Sequence, residues 1–378
     1  MENRLKVVLY SYLFYPSVGG IESISASLAE GLIQQGHVVQ VITESTSDAK
    51  DNFKYTIHRK PDFSTKKELV KWADIIVYNG ASLGLQPLPL LYRKPYVWIH
   101  QGYQISCIDG LGWYEGERAP MTPWSSIAFH YSKSGLGFAV KGALKVFTKL
   151  FFAKYLVTQN VACTDWVLKR LPFLSNNLRI HSPYPLKKFE TPSPGITIKY
   201  DFVFVGRLVS EKGVSTLIDA FSMLRKELDT KVSLLIVGDG NWKDKVIAKI
   251  AEHDLETCVT MVGRKTGQEL TDLIHSGKIA VVPSEWEEPM GGVALELMSA
   301  GRNIIVSRNC GMAECVGKGG LTFLNGDAED LARTMKKLWG DKALQDEQKI
   351  EAKTQLIKFQ AEKRVMEHIE LFQSLLKR

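Results

Sequence analysis

Two carboxylates, Glu288 and Glu296, bracket the segment Pro289-Met290-Gly291-Gly292-Val293-Ala294-Leu295. The segment follows an apolar run, Ile279 to Pro283, that reads as a buried strand, and Val293 to Ala300 reads as a helix. Gly291 and Gly292 then fall at the helix start, where unpaired backbone N–H groups and the positive end of the helix dipole suit a phosphate. A carboxylate in such a place does not bind phosphate. It accepts hydrogen bonds from hydroxyl groups, as on a ribose or a hexose. Glu288 lies in the loop and Glu296 about two turns along the helix.

Other residues of the same kind recur at strand ends. Gly206-Arg207-Leu208 is followed by Glu211-Lys212-Gly213. Arg207 offers a fork of donors and Lys212 a point charge, a pair that can neutralise a diphosphate. Gly19 and Gly20 in Pro16-Ser17-Val18-Gly19-Gly20-Ile21-Glu22 open another helix and let backbone approach an anion. His100 ends the strand-like run Tyr96 to His100. Val237-Gly238-Asp239-Gly240 and Val262-Gly263-Arg264-Lys265 each follow an apolar run, and neither continues into a dinucleotide fingerprint. No Asp-x-Asp triplet of the kind that holds a metal on a diphosphate occurs; Arg207, Lys212 and the helix starts can do the same electrostatic work, and no essential metal is expected.

These residues need a scaffold, and the chain alternates short β-rich runs with amphipathic stretches, the pattern of βαβ units and parallel sheets. In the first half, Leu5–Leu9, Val38–Thr43, Ile75–Tyr78 and Tyr96–His100 read as strands, with a helix over Ser23–Gln35. In the second, Phe202–Val205, Val232–Val237, Val259–Val262, Ile279–Val282, Asn303–Ser307 and Leu321–Phe323 read as strands, with helices over Val214–Leu228 and Lys243–Glu252. The proline-rich stretch 182–199 is the linker. The expected fold is α/β: two Rossmann-like doubly wound domains facing a central cleft, with ligands at the carboxyl ends of the strands. Residues 1–187 form the first domain and 188–358 the second. Residues from Asp346 to Arg378 read as one long helix.

Glu288 to Glu296 resembles the E-x7-E motif of the family-4 retaining glycosyltransferases, which have the GT-B fold. Pro16 to Glu22, with Gly36-His37-Val38 downstream, resembles that family's opening P-x-x-G-G-x-E … G-H-x-V, and Gly206 to Gly213 its G-R-L-x-x-x-K-G. The resemblance runs through nearly the whole chain in the right order. It implies transfer of a hexose from a UDP- or GDP-sugar to a hydroxyl, with retention at the anomeric carbon. Glu288 and His100 would lie beside the transferred sugar, Arg207 and Lys212 would stabilise the leaving diphosphate, and Glu296 would hold the ribose. Gly19, Gly20, Gly206, Gly238, Gly263, Arg264, Met290, Gly291, Gly292 and Val293 would complete the donor pocket, mostly through backbone. The C-terminal helix would cross back to the first domain near Phe359, so that residues 359–378 join it. The chain departs from the pattern at Met290, where the family has Phe, and at Gly292, where it has a branched aliphatic. A Gly-Gly-x-x-Glu loop is degraded to Cys310-Gly311-Met312-Ala313-Glu314. Family membership implies a glycan or lipid-linked acceptor in bacterial surface polysaccharide synthesis. Another GT-B enzyme, such as a sugar phosphorylase or a sucrose-synthase-like enzyme, and a non-catalytic nucleotide-sugar-binding protein are the alternatives.

Composition and charge bear on where this happens. With 378 residues, 45% hydrophobic and 24% charged, the chain is a two-domain globular protein with no apolar run long enough to span a bilayer and no signal peptide. Five scattered cysteines point to a reducing compartment, hence a cytoplasmic location. Residues 1–187 carry 21 Lys and Arg against 13 Asp and Glu, a net of +8, while the remainder is nearly neutral. No nucleic-acid motif accompanies this charge. Between Arg118 and Asp165 there is no acid, and Lys133, Lys141, Lys145, Lys149 and Lys154 interleave with Phe138, Leu144, Phe147 and Phe151. Residues 133–154 therefore read as a basic amphipathic helix able to lie on an anionic membrane surface. Trp113, Tyr114 and Trp124 just before it read as acceptor contacts or interfacial anchors.

Overall fold

The computed structural model describes residues 4–16, 19–47, 51–80, 83–171, 173–228 and 231–377. The chain divides into two compact units. The first comprises Met1–Gly112, Ala119–Pro185 and Phe359–Arg378, and the second Trp113–Arg118 and Leu186–Lys358.

The first unit is built on β1 (Lys6–Ser11), β2 (Val38–Thr43), β3 (Thr56–Arg59), β4 (Ile75–Asn79) and β5 (Tyr96–His100), extended further along the chain. A hairpin, β6 (Trp113–Tyr114) with β7 (Glu117–Arg118), interrupts it and belongs to the second unit. The sheet then gains β8 (Gln159–Ala162) and β9 (Asn177–Arg179), giving the all-parallel order β3-β2-β1-β4-β5-β8-β9. Among the described residues these strands are accompanied by α1 (Gly20–Gln34), α2 (Phe63–Trp72), α3 (Leu88–Leu91), α4 (Pro123–Tyr155) and α5 (Asp165–Lys169), and by a C-terminal helix, Ala361–Leu376. The strand order reverses between β1 and β4, where doubly wound sheets bind ligands beyond the strands' carboxyl ends.

The second unit carries β10 (Tyr200–Val205), β11 (Leu234–Val237), β12 (Val259–Met261), β13 (Gly277–Val282), β14 (Asn303–Ser307) and β15 (Leu321–Phe323), all parallel in the order β12-β11-β10-β13-β14-β15. Between and after them come α6 (Val214–Glu227), α7 (Lys243–Glu252), α8 (Gly267–Ser276), α9 (Gly292–Ser299), α10 (Gly311–Val316), α11 (Ala328–Gly340) and α12 (Lys342–Ile357). Alternation along each strand feeds two cores. Phe202, Phe204, Leu234, Ile236, Ile279 and Val281 bury against α6, α7 and α11. Val203, Leu235, Val237, Ala280 and Val282 bury with residues of α8, α9 and α10. Such strands are apolar on both faces, which is why they read as continuous apolar runs.

Three elements differ from the sequence expectation. The single C-terminal helix is two, α12 and then α13 (Ala361–Leu376), broken around Phe359. Two different cores claim its apolar residues: Ala352 and Leu356 pack in the second unit, and Val365, Ile369, Phe372 and Leu375 in the first. Phe359 at the break is buried and lies against the His181 ring, 4.6 Å between centroids. The basic amphipathic segment belongs to a longer helix, α4, whose backbone leaves helical geometry at Gly135 with φ of 82°. Strands β3, β8 and β9 are unanticipated. Gln159-Asn160 in β8 breaks the apolar signal, yet Asn160 is fully buried because its side chain bonds to Ala153 O, Asn176 Oδ1 and His100.

Candidate active site

The expected site residues of the second unit converge at the carboxyl ends of β10, β11, β12 and β13. The loop after β10 is held by its neighbours: Gly206 N donates to Val237 O, Leu208 N to Asp239 O, and Gly238 N to Gly263 O, at 2.9 to 3.0 Å. Gly238 is required by this contact, since a Cβ there would sit 1.8 Å from Gly206 O. Gly206, Gly238 and Gly263 thus form one interlocked floor, with Arg264 exposed beside it. The Arg207 side chain is 69% exposed, and among the described residues its one ion-pair contact is with Glu211 Oε1 at 3.4 Å. The guanidinium is therefore available to an incoming anion.

The turn Ser210–Lys212 ends at Gly213, whose φ is +67° and whose Cβ, if present, would lie 1.9 Å from Pro283 O. Only glycine permits this approach of the turn to the end of β13. It seats Lys212 against the loop that carries Glu288. Lys212 Nζ donates to Glu288 Oε1 at 2.7 Å, with the two side chains 16% and 9% exposed. Ser284 Oγ donates to the same oxygen, while Oε2 makes no hydrogen bond among the described residues. The ammonium also lies 5.7 Å from the centroid of the Trp286 ring. Behind the carboxylate, burial and then the charge of Glu288 push the Cys310 thiol up to about 12, so it remains protonated and inert.

Around α9 the arrangement refines the expectation. Gly291 does not offer its N–H to a ligand: it is buried and directed at Cys315 Sγ, 3.5 Å away, and a Cβ would collide with Met312. Met290 is buried beside it. Among the described residues the amides of Gly292, Val293 and Ala294 have no backbone partner, the first two half-buried and the third buried, and Glu296 is half-buried further along the helix. The reading of Trp113 as an acceptor contact or interfacial anchor is corrected. Trp113 is 7% exposed and its Nε1 donates to Ser210 Oγ at 2.9 Å, two residues before Lys212. Its partner strand places Arg118 Nη2 on Asn325 O at 2.7 Å. Nothing in the apolar pattern marks this hairpin, and its Gly110, Gly112 and Gly116 are the only local signal.

In the first unit, Gly19 caps α1 and Glu22 folds its carboxylate back over it, while Gly20 stays exposed. The helix start thus already has an acid against it, a place the sequence reading gave to a ligand's anion. Ser17 and Val18 of the same motif lie outside the described residues. His100 is buried at the end of β5, stacked on Trp98 at 4.8 Å, with Nε2 2.8 Å from Asn160 Oδ1. Asn160 accepts there, so the ring proton sits on Nε2 and Nδ1 is left an acceptor. Burial lowers the imidazole to about 4, and it is neutral at physiological pH. Among the described residues no group of three or more His, Cys, Asp or Glu side chains could hold a metal ion.

Residues 188–355 match the profile of the family described as glycosyl transferases group 1. The second unit is a group 1 glycosyl transferase domain. The glycogen synthase of Mycobacterium tuberculosis is 34% identical over 145 residues, 38% of this chain and 34% of that protein. The lipopolysaccharide 1,2-N-acetylglucosaminetransferase of Salmonella typhimurium is 29% identical over 123 residues, 30% of this chain and 32% of that protein. The chain spans about a third of the length of these curated relatives. The structure of HepE from Anabaena, solved with UDP and glucose, superposes with a TM-score of 0.73 over 98% of this chain and 100% of that one, at 16% identity. The fold is therefore that of the GT-B glycosyltransferases, with two Rossmann-like units.

Proposed function

We propose that the protein is a retaining glycosyltransferase. It moves a hexose from a nucleoside diphosphate sugar to a hydroxyl acceptor. The observation that carries this reading is the Lys212–Glu288 pair, which joins two motifs 76 residues apart at the carboxyl edge of the sheet. The donor diphosphate lies over the amides of Gly292 and Val293, with Lys212 and Arg207 neutralising it. Glu288 Oε2 accepts a hydrogen bond from a sugar hydroxyl, and Glu296 from the ribose. The bond from the anomeric carbon to the β-phosphate oxygen breaks, and the bond to the acceptor oxygen forms on the same face. The acceptor's proton leaves on the departing diphosphate. Lys212 and Arg207 stabilise the charge that develops there, and preorganised donors of this kind are worth roughly a hundredfold or more each in rate. No metal is essential in this scheme.

HepE, whose structure holds UDP and glucose, supports a UDP-sugar donor, and the Salmonella relative supports a surface-glycan acceptor. The acceptor is a glycan or lipid-linked glycan reached from the cytoplasmic face. α4 turns a row of exposed apolar residues outward, Leu136, Val140, Leu144, Phe151 and Tyr155, flanked by the exposed Lys133, Lys141 and Lys154, and this face rests on anionic lipid. Among the described residues no helix is long and apolar enough to cross a membrane.

The test is release of nucleoside diphosphate from a panel of UDP- and GDP-hexoses, supplied with glycolipid acceptors, with the anomeric configuration of the product read by proton NMR. Turnover that retains the configuration and falls at least a hundredfold in Glu288→Gln is expected. Full activity in that variant, or an inverted product, would overturn the reading.

A further inference from the structure

A cavity of about 620 Å³ opens in the first unit at the reversal point of its strand order, between the ends of β1 and β4. Tyr12, Leu13, Ile21 and Leu83 form its apolar wall, and Asn79 at the end of β4 closes it. Asn79 is committed internally, with Nδ2 donating to Ser25 Oγ and Oδ1 accepting from Gln101. The opposite wall comes from α4: Lys145, Thr148 and Lys149.

Lys149 is out of place. The buried stripe of this half of α4 is Ala139, Gly142, Val146, Lys149 and Ala153, spaced by threes and fours as a packing face should be. Four of the five are small or apolar. Lys149 is 8% exposed and makes no hydrogen bond or ion pair among the described residues, while a second cation, Lys145, stands one turn away. Burial, with the Lys145 charge adding to it, lowers the ammonium to about 8, so it stays mainly charged at neutral pH. A lone buried cation is costly unless an anion compensates it, and no acidic residue is among the described residues that line the cavity.

We infer that this cavity binds a phosphate-bearing molecule with an apolar portion, its phosphate on Lys149 and Lys145 and its apolar part against Tyr12, Leu13 and Leu83. Thr148, exposed on the same wall, supplies a further hydroxyl. Calling that molecule the glycosyl acceptor rests on the transferase reading above; the anion site itself does not. The phosphate could belong to a membrane lipid or to a soluble phosphorylated sugar, and the two differ in whether an alkyl chain is needed.

The experiment is calorimetric titration of the whole chain with hexyl phosphate, glucose 6-phosphate and hexanol. Hexyl phosphate should bind with millimolar or better affinity and hexanol should not. Lys149→Gln should weaken the phosphate about tenfold, the loss of one charge-assisted contact. Lys149→Arg should restore most of it, and Lys145→Gln should cost less. Lys212→Ala should leave it unchanged, which separates this site from the diphosphate site of the other unit. Glucose 6-phosphate binding as tightly as hexyl phosphate identifies a soluble ligand and overturns the apolar part of the inference; much weaker binding identifies a lipid. Either supports the anion site. Failure of both phosphates to bind, or equal binding in wild type and a folded Lys149→Gln, would overturn it, as would loss in Lys212→Ala alone. UDP titrated in parallel tells this failure from failure of the transferase reading, because Lys149→Gln leaves the second unit intact.

Discussion

At the scale of single residues, the Lys212–Glu288 pair makes a demand on both stability and rate. Its members are mostly buried, so removing the cation leaves a carboxylate with only Ser284 to satisfy it. Lys212→Ala should therefore destabilise the second unit by about 3 kcal/mol. Lys212→Ala/Glu288→Ala should be less damaging to stability than the two single changes summed, and equally inactive. A double-mutant cycle by urea denaturation measures this, and strict additivity would show that the pair does not interact. Both residues stand out in the sequence as charges near strand ends, Lys212 for a diphosphate and Glu288 for a sugar, but their bond to each other does not, because it joins loops 76 residues apart. The differing roles of similar glycines do not stand out either. Gly238 and Gly213 answer to backbone atoms of distant loops, Gly291 to Met312, and none of these contacts leaves a trace in local spacing. His100 likewise reads as a site residue from its place at a strand end, whereas its burial and its bond to Asn160 depend on a polar strand the sequence conceals.

At the scale of elements, the turn Ser210–Lys212 and helix α4 carry the predictions. Gly213→Ala places a methyl group on Pro283 O in a left-handed conformation. Loss of more than about 2 kcal/mol in the second unit is expected, together with loss of nucleotide binding. A stable Gly213→Ala with normal nucleotide affinity would mean the turn does not seat Lys212. α4 divides its labour by face: small residues and Lys149 inward, a row of large apolar side chains outward. Leu136→Ser/Leu144→Ser should reduce affinity for phosphatidylglycerol vesicles, read by cosedimentation, about a hundredfold or more, since each buried leucine contributes roughly 1.5 kcal/mol or more. The same variant should keep its thermal stability. Equal binding, or binding to neutral phosphatidylcholine as strong as to the anionic lipid, would remove α4 as a membrane contact. The sequence marks the segment as basic and apolar but does not separate its two faces, because the kink at Gly135 and apolar residues on several faces blur the period: Val146 reads like its exposed neighbours yet is buried.

For the whole molecule, acid sensitivity should be unequal between the two units. His100, His181 and His368 all lie in the first unit, and burial lowers each to about 4. Unfolded, they take up protons near the ordinary value of 6.5; folded, they do so only near 4. The stability they leave intact above pH 6.5 is thus lost as pH falls through this window, by up to about 1.4 kcal/mol per histidine per pH unit. In the second unit burial lowers His275, which is less buried than these three. Hydrogen exchange at pH 7 and pH 5 should show the first unit losing protection first. Simultaneous loss would count against the buried histidines as the cause. The two-sheet architecture itself was the most legible property of the chain, since strands apolar on both faces and the recurring strand–helix alternation specify parallel sheets. Where the chain crosses between units was less so: α12 and α13 share one helical period but serve two cores, and the small hairpin has too few residues to show a pattern.

The most direct test of the account is a thermal-shift titration with UDP, GDP, ADP and their glucose conjugates, with and without EDTA, on wild type and Lys212→Ala. Ligand present at a hundredfold excess over Kd stabilises by about 2.7 kcal/mol, a shift of several degrees. The account predicts such a shift with one base series, indifferent to EDTA and absent in Lys212→Ala. No shift with any nucleotide, or an undiminished shift in Lys212→Ala, would contradict it.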